Sequence, residues 1–225
     1  DLSGKVVFIT GAASGIGRAT IDAVIAGGGQ VAAGDIQSGG EPGNGSISLK
    51  VDVTDSASLA AAVQTTLDRF GRIDGLLTSA GISSRGAAAD LDMADWTRTL
   101  AVNLTGTMLC ARAALPAMIA AGRGSIVTVA SIFGITATSA NTPYNVSKGG
   151  VIQLMRSMAA DYAASGIRVN AVSPGFIETP MTAMLQVESP SRSNFIDMHL
   201  LRRPGRPEEV AEVAAFLLSD AASFV

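Results

Sequence analysis

The chain has 225 residues, of which 48% are hydrophobic, and this is enough to bury one sizeable core. The formal net charge of -3 and the absence of a lysine and arginine cluster argue against nucleic acid and against a membrane surface as partners. A single cysteine excludes an internal disulfide, and a single histidine excludes a histidine-based metal cluster, so the sequence predicts no metal site.

The same features predict a cytoplasmic protein. The chain does not open with the basic and apolar regions of a secretory signal peptide, and no apolar run reaches the ~18 residues that a membrane-spanning helix needs. Cys110 lies in an apolar helical pattern, which favours a buried structural thiol over a nucleophile. We therefore expect a protein of a reducing compartment without a membrane span.

The first predicted elements are a strand, a glycine-rich turn and a helix, in that order. Residues 5–10 form a short apolar run rich in β-branched residues, the glycines follow at once, and a helical pattern covers residues 18–27. A dinucleotide-binding turn needs this context, because glycines let the backbone approach the pyrophosphate and the helix N-terminus faces it. The predicted cofactor residues of this turn are Gly11, Ser14, Gly15, Ile16 and Gly17.

The second predicted strand, residues 30–34, leads into Asp35, which follows Gly15 by 20 residues. A carboxylate at this position typically accepts the ribose hydroxyls of the cofactor and repels a 2′-phosphate. Because neither Ser14 nor Ile36 adds a positive charge, the sequence favours NAD over NADP. The alternative is that Asp35 is only a turn residue.

Strands and helices alternate along the next part of the chain. A polar loop at residues 37–46 precedes a strand at 47–51, and Asp52 after it is placed to meet the adenine edge. A helix is predicted over 56–70, a strand over 73–78, and Ser79, Ala80 and Gly81 follow. This alternation predicts one α/β domain, residues 1–225, with a Rossmann-like, doubly wound parallel sheet, helices on both faces and strand order 3-2-1-4-5-6.

Residues 93–121 are predicted to form two helical stretches, with Asn103 near their junction and a kink at Pro116. An apolar stripe on the second stretch is compatible equally with the core and with the interface to a partner subunit. Its members are Met108, Ala111, Leu115, Met118 and Ile119.

The strongest chemical signal lies in residues 131–148. Ser131 follows a predicted buried strand at 125–130, and Tyr144 and Lys148 are four residues apart, which places them on one face of a helix. A nearby cation favours the phenolate, so Lys148 is expected to lower the pKa of Tyr144. Taken alone, this spacing also fits a solvated surface pair.

The C-terminal part begins with a predicted strand at 166–172, closed by Pro174 and Gly175. Residues 176–205 show poor periodicity and are a candidate substrate lid, and a helix is predicted over 207–218. The sole histidine, His199, lies in this lid and has no nucleophile-elbow motif to work with, which argues against a hydrolase. Apolar side chains near the lid and Ser131 favour an apolar substrate, namely Phe133, Phe176, Ile132, Met181, Met184, Leu185, Met198 and Leu200. Four arginines are an alternative attraction for a carboxylate or a carrier-bound acyl group, namely Arg85, Arg192, Arg202 and Arg203.

Over essentially its whole length the sequence resembles the short-chain dehydrogenase/reductase family, of the compact single-domain kind. The resemblance rests on the glycine turn, on Asp52 and Val53, on Ser131, Tyr144 and Lys148, on Asn103 in Val-Asn-Leu-Thr-Gly, and on Pro174 and Gly175 with Thr179. The resemblance implies that the catalytic residues are Ser131, Tyr144, Lys148 and Asn103. It implies that the substrate is contacted by Ser131, Phe133, Tyr144 and Phe176. It also implies that the cofactor is held by Gly11, Ser14, Gly15, Ile16, Gly17, Asp35, Ile36, Asp52, Val53, Ala80, Gly81, Tyr144, Lys148, Pro174, Gly175, Ile177 and Thr179.

The resemblance also implies a mechanism. Tyr144, as phenolate, would take the alcohol proton while hydride leaves the carbinol carbon for nicotinamide C4. Lys148 would lower the tyrosine pKa and hold the nicotinamide ribose, Ser131 would hydrogen-bond the substrate oxygen, and Asn103 would hold a water that links Lys148 to solvent.

Two positions depart from the family pattern. Thr78-Ser79-Ala80-Gly81 stands where the family usually has Asn-Asn-Ala-Gly, and we expect activity to survive this change. The family usually continues past the equivalent of Val225 with a final strand, so the last strand of the sheet is expected to be missing from this sequence.

The sequence therefore predicts an NAD-dependent oxidoreductase that acts on a secondary alcohol or ketone, assembled as a homotetramer by resemblance. A 3-oxoacyl-thioester reductase working on an acyl-carrier protein is the alternative within enzymes, which Asp35 disfavours because that chemistry usually draws on NADPH. A catalytically silent dinucleotide-binding regulatory protein and an oligomeric scaffold are the alternatives from other classes.

Overall fold

The computed structural model describes residues 1–37, 42–185 and 190–225. In this part of the chain a single parallel sheet of six strands has the order β3-β2-β1-β4-β5-β6, as predicted. The strands are β1 Val6–Thr10, β2 Gln30–Asp35, β3 Ile47–Lys50, β4 Gly75–Thr78, β5 Gly124–Val129 and β6 Ile167–Val172. The helices are α1 Gly15–Ala26, α2 Ser56–Phe70, α3 Met93–Leu100, α4 Gly106–Ala121, α5 Thr142–Tyr162, α6 Pro190–Asp197 and α7 Pro207–Leu218.

Helices cover both faces of the sheet because successive side chains of a strand point to opposite sides. In β1, Val7 and Ile9 join the apolar cluster that contains residues of α1 and α7. Phe8 points the other way, into a cluster with residues of α2, α4 and α5. The two clusters confirm the doubly wound α/β class.

Local signals in the sequence account for the ends of α2. The Asp55 side chain accepts a hydrogen bond from the backbone N–H of Ala57 and so caps the first turn. Gly71 ends the helix at φ 72°, a conformation that favours glycine. The prediction of a helix over these residues is thereby confirmed.

The stretch from α3 to α4 is continuous, because a single π-helical turn, Ala101–Thr105, joins the two helices. By length and composition residues 93–121 are sufficient to cross a membrane, contrary to the expectation from the sequence. However, Cys110, Ala111, Leu115 and Met118 pack into the core against the sheet, and core helices often meet the same criteria.

The apolar stripe on α4 is therefore mostly core. Ala111, Leu115 and Met118 are buried, whereas Ile119 is 43% exposed. Burial also raises the pKa of the Cys110 thiol to about 12, as expected for a structural cysteine. Pro116 lies inside α4 without ending it.

Several element boundaries differ from the prediction. Helix α1 begins at Gly15 rather than at residue 18, since the glycine turn is itself the first turn of the helix. Strand β4 begins at Gly75, two residues later than predicted. The predicted lid contains a 3₁₀ helix, Pro180–Leu185, and the helix α6, neither of which its weak periodicity indicated. Residues 186–189 of the lid and 38–41 of the polar loop lie outside the described residues.

Candidate active site

A cleft of about 620 Å³ opens at the carboxyl ends of the strands. It lies where the strand order reverses between β1, which continues to β2, and β4, which continues to β5. In open α/β sheets ligands bind at this switch point, because the loops on its two sides leave in opposite directions.

The turn between β1 and α1 comes unusually close to the loop after β4. A Cβ at Gly11 would lie 2.5 Å from the backbone nitrogen of Ala80, and one at Gly17 would overlap the carbonyl oxygen of Gly11. Gly17 does not line the cleft, so its lack of a side chain serves the packing of the turn. The backbone N–H of Ser79 donates to the carbonyl of Thr10, which joins the two loops without the asparagine amide usual in the family.

The first turn of α1 is suited to an anion. Ser14 occupies the N-cap position in the cleft wall, but its side chain makes no capping hydrogen bond, and the first turn of the helix has no acidic residue. Free N–H groups and the positive end of the helix dipole favour a phosphate. These features fit the pyrophosphate of a dinucleotide.

Asp35, at the end of β2, lines the same cleft. Its two carboxylate oxygens accept hydrogen bonds from the backbone N–H groups of Ala13, at 3.0 Å, and Gln37, at 2.9 Å. Asp35 therefore stabilises the glycine turn, and its negative charge lies in the wall of the cleft.

Asp52, after β3, also lines the cleft. Its Oδ1 accepts hydrogen bonds from both the hydroxyl and the backbone N–H of Thr54, and the hydroxyl is the main reason why the pKa of this carboxyl is lowered. Arg98, on α3, brings an exposed guanidinium to the cleft wall. No motif in the sequence marks Arg98, and it was not predicted.

Ser131, Tyr144 and Lys148 meet at one end of the cleft. Ser131 follows β5 directly and caps the short 3₁₀ helix Ile132–Gly134, with its Oγ accepting from the N–H of Phe133 at 3.2 Å. Tyr144 and Lys148 lie one turn apart on α5, and the Lys148 Nζ is 5.7 Å from the centre of the Tyr144 ring. Ser131 and Lys148 are buried and Tyr144 is half-buried, so Tyr144 and Lys148 do not form a solvated surface pair.

The electrostatics of the pair differ from the sequence-based expectation. Burial raises the pKa of Tyr144, and a hydrogen bond with Ser131 lowers it in part. Lys148 is not among the causes of this pKa shift, and its Nζ donates to the carbonyl of Val129 at 2.7 Å. Burial lowers the pKa of Lys148 itself to about 8. Burial thus shifts both side chains towards their neutral forms.

Gly134 makes the meeting of these residues possible. A Cβ at this position would lie 2.6 Å from the carbonyl carbon of Lys148, so only glycine lets the turn after Ser131 pack against α5. Gly134 belongs to no recognised motif, and no signal in the sequence distinguishes it from other loop glycines.

Asn103 lies behind the cleft wall, fully buried in the π-helical turn. Its side-chain amide donates to the carbonyl of Ile82 at 2.9 Å and to the hydroxyl of Ser147 at 3.0 Å, while its Oδ1 accepts from the N–H of Ile82 at 2.8 Å. It therefore ties the loop after β4 to α5. Both amide protons are used in these contacts.

The predicted substrate residues are divided. Ser131 and Tyr144 line the cleft, whereas Phe133 and Phe176 lie outside its wall and each pack against Phe195. Of the four arginines, Arg202 pairs with Asp197 and Arg203 with Glu209, while the side chain of Arg192 lies outside the described residues. The side chains of Met184 and Leu185 also lie outside them.

The predicted cofactor residues converge on the cleft with the single exception of Gly17. Those that line it are Gly11, Ser14, Gly15, Ile16, Asp35, Ile36, Asp52, Val53, Ala80, Gly81, Tyr144, Lys148, Pro174, Gly175, Ile177 and Thr179.

Comparisons with known proteins agree on one family. A family model described as enoyl-(acyl carrier protein) reductase matches residues 11–225. The chain is 43% identical to the cis-4-hydroxycyclohexanecarboxylate dehydrogenase of Sinomonas cyclohexanicum over 98% of this chain and 92% of that protein. It is 41% identical to the 3-oxoacyl-(acyl-carrier-protein) reductase of Thermotoga maritima over 100% of this chain and 94% of that protein. The crystal structure of a levodione reductase superposes with a TM-score of 0.94 and 35% identity, covering 99% of this chain and 93% of that chain. The chain therefore belongs to the short-chain dehydrogenase/reductase family.

Proposed function

We propose that this protein transfers a hydride between a secondary alcohol or ketone and a nicotinamide dinucleotide, with NAD preferred. The observation that carries the proposal is the convergence of Ser131, Tyr144 and Lys148 at one end of a cleft whose other residues suit a dinucleotide. A bound nicotinamide supplies the hydride or accepts it.

Proton transfer, stabilisation of charge and positioning are assigned to four residues of the chain. Tyr144 gives its proton to the ketone oxygen or, as phenolate, takes the proton of the alcohol. Ser131 is positioned by its backbone cap to donate a hydrogen bond to the same oxygen, which stabilises negative charge as it develops. Lys148 supplies a buried ammonium that favours the phenolate once the hydrogen bonds of the site rearrange around a ligand. Asn103 acts as a positioning residue through Ile82 and Ser147.

NAD is preferred in this proposal because Asp35 places a negative charge in the cleft wall at the end of β2. A 2′-phosphate next to this carboxylate would meet repulsion between like charges.

The substrate class is supported by the relatives. The names of two similar proteins specify compounds with a six-membered ring, cis-4-hydroxycyclohexanecarboxylate and 2,5-dichloro-2,5-cyclohexadiene-1,4-diol. The cleft wall also contains the apolar residues Ile82, Val129, Ile177 and Met181. We therefore place alicyclic secondary alcohols first.

A thioester reductase is the second candidate. The Thermotoga relative acts on a 3-oxoacyl carrier protein by name, and the matching family model is described as an acyl-carrier-protein reductase. Arg98 also adds a positive charge to the cleft that would suit the phosphate of NADPH.

We also place the protein in the cytoplasm and expect it to form a homotetramer. The free buried thiol of Cys110 suits a reducing compartment. Exposed apolar side chains on α4, α5 and α7 suit an interface between copies, namely Ile119, Val146, Val213 and Phe216. Sedimentation equilibrium of the purified protein tests the assembly, and a monomer at all concentrations would refute it.

The function is tested by titrating the protein with NADH and NADPH and then screening secondary alcohols, including cis-4-hydroxycyclohexanecarboxylate, with the preferred oxidised cofactor. The variant Tyr144→Phe should bind the cofactor as the wild type does but lose turnover by at least about 10²-fold, the usual contribution of a general acid or base. Tyr162→Phe is the matched control, since Tyr162 is the other tyrosine and lies at the far end of α5. Turnover that survives in Tyr144→Phe would refute the proposed mechanism, and preference for NADPH would move the thioester reductase to first place.

A further inference from the structure

His199 is the sole histidine of the chain, and the mechanism proposed above does not use it. Its imidazole joins two segments: the Nε2 lies 2.9 Å from the backbone nitrogen of Phe176, and the Nδ1 lies 2.7 Å from the carbonyl oxygen of Phe195. A backbone N–H can only donate, so Nε2 accepts and the proton is on Nδ1. The neutral ring therefore links α6 to the loop that follows β6.

The loop is shaped to receive this ring. Gly175 lines the reacting end of the cleft, and the three atoms nearest to a Cβ built there all belong to the His199 imidazole, with Nε2 overlapping it. The φ angle of Gly175 is not positive, so this glycine is not required by the backbone conformation. Its missing side chain makes room for the histidine.

The hydrogen bond to His199 is one of two that hold the backbone of Phe176, and together they form a double anchor. Its backbone N–H donates to His199, and its carbonyl accepts from the N–H of Gly205 at 2.9 Å. Both backbone polar groups of this buried residue are thus bonded to the segment 199–205. An unpaired backbone group at a buried position is costly, so the anchor fixes the loop next to the cleft.

The same link reaches the turn of Ser131. Phe195, whose carbonyl accepts from His199, packs its ring 6.1 Å from Phe133 and 6.3 Å from Phe176, measured between ring centres. The N–H of Phe133 in turn donates to the Ser131 Oγ. Helix α6 therefore contacts the serine turn and the loop after β6 at once.

We propose that His199 is a positioning residue for the substrate. Through the acceptor nitrogen Nε2 it holds α6 and its Phe195 against the serine turn and against Phe176, the residue next to Gly175 in the cleft wall. This role deepens the proposed function and rests on it, because Ser131 and Gly175, whose loops this link holds in place, line the cleft proposed to take the alcohol or ketone.

The test compares His199→Ala, His199→Leu and His199→Gln with the wild type. Leucine fills the space without an acceptor, whereas glutamine keeps a carbonyl oxygen that can accept from Phe176. We expect the KM for the alcohol to rise about tenfold or more in the alanine and leucine variants, with kcat changed less, and to recover in part in the glutamine variant. Leu201→Ala is the matched control, since this nearby lid residue is 78% exposed, and the KM of this variant should not change.

Hydrogen exchange of the Phe176 amide gives a readout that needs neither substrate nor turnover. Protection of this amide should fall in His199→Ala and His199→Leu but persist in His199→Gln and Leu201→Ala. ADP-ribose, which lacks the nicotinamide, should bind all five proteins equally. If the leucine variant behaves as the wild type in both assays, His199 only fills space and the proposal is refuted.

A double-mutant cycle with Gly175→Ala strengthens the test. In the wild type the added methyl group displaces the imidazole, so exchange at Phe176 should accelerate. In His199→Ala the same substitution should have little further effect, because the overlapping ring is gone. Additive effects would contradict direct contact. If the wild type oxidises no alcohol, the proposed function fails, and the His199 link is judged on exchange alone.

Discussion

Lys148 is a charged side chain in a place that does not favour charge. It is 5% exposed, its Nζ has the carbonyl of Val129 as hydrogen-bond partner, and burial lowers its pKa to about 8. A buried ammonium that is not paired with a carboxylate costs stability, and sites that do chemistry commonly accept such a cost. The burial of Lys148 in the cleft wall is therefore evidence that the cleft has a chemical function.

Replacing Lys148 by methionine should stabilise the protein near neutral pH while abolishing turnover. The pKa shift of Lys148 from 10.5 to about 8 corresponds to a cost of about 3 kcal/mol for burying the charge, which the variant avoids. The variant also loses the hydrogen bond to Val129, which offsets about 1 kcal/mol of this gain. We expect a net gain of about 2 kcal/mol in the free energy of unfolding, measured by urea denaturation at pH 7.

The pH dependence gives this prediction its sign. Below pH 8 Lys148 is protonated in both states, and the wild type bears the full cost of burying the charge. Between pH 8 and 10.5 the unfolded chain binds the proton and the folded chain does not, so the stability of the wild type rises with pH relative to the variant. Both proteins keep Tyr144, whose own titration cancels in the difference. An advantage of the variant that stays constant from pH 7 to 9.5 would contradict the argument.

The second prediction for a single residue concerns Asp35 and the preference for NADH over NADPH. In Asp35→Asn the negative charge is lost and one of the two hydrogen bonds, to Ala13 or to Gln37, loses its acceptor. NADH should bind less tightly, and the ratio of NADPH to NADH affinity should rise about tenfold, equivalent to about 1.4 kcal/mol. Fluorescence titration with both reduced cofactors measures it. An unchanged ratio would mean that Asp35 serves only the glycine turn.

At the scale of elements, the catalytic geometry depends on how closely the serine turn packs on α5. In Gly134→Ala the new methyl group would overlap the Lys148 backbone and push Ser131 away from Tyr144. We expect kcat to fall by at least about tenfold with little change in NADH affinity, because a small displacement of a reacting group is costly.

Gly149→Ala is the matched control, since a Cβ there would lie 3.4 Å from the Gly134 oxygen, an ordinary contact. Gly149 lies within α5, where alanine is the better helix former, so this variant should keep activity and be slightly more stable. Equal loss of kcat in the two variants would indicate a general disturbance of α5 instead.

Elements with a strong local signal could be predicted from the sequence. The strand order follows from the alternation of strands and helices with right-handed crossovers, and the helices at 56–70 and 207–218 follow from periodicity and from residues at their ends. The structure confirms all three. The π-helical turn at 101–105 and helix α6 could not, because the first is a local register change inside a helical pattern and the second has almost no apolar periodicity.

The same distinction applies to the candidate site. The glycine turn, Ser131, Tyr144 and Lys148 lie in motifs, and the structure brings them to one cleft. Gly134 and Arg98 reach the site through packing between distant segments, for which the sequence has no local pattern. The pKa of Tyr144 was expected to fall because of Lys148, but burial dominates and depends on the whole fold.

At the scale of the whole molecule, the cleft lies between the half of the sheet that contains β1, β2 and β3 and the half that contains β4, β5 and β6. Ser14 and Asp35 come from the first half, whereas Ser131 and Lys148 follow β5 in the second. A dinucleotide that contacts both halves binds the folded protein and not the unfolded chain, so it must raise the melting temperature.

At a concentration one hundred times the dissociation constant, NADH should stabilise the fold by about 2.7 kcal/mol, which corresponds to about 5–10 °C for a domain of this size. Tyr144→Phe should keep this shift, since it removes a proton donor without emptying the cleft. AMP at the same concentration should give a smaller shift, because it contacts only the half with Asp35 and so binds less tightly. Differential scanning calorimetry measures all three. If neither NADH nor NADPH moves the transition at millimolar concentration, the cleft does not bind a nicotinamide dinucleotide, and the assignment of its residues to cofactor binding falls with it.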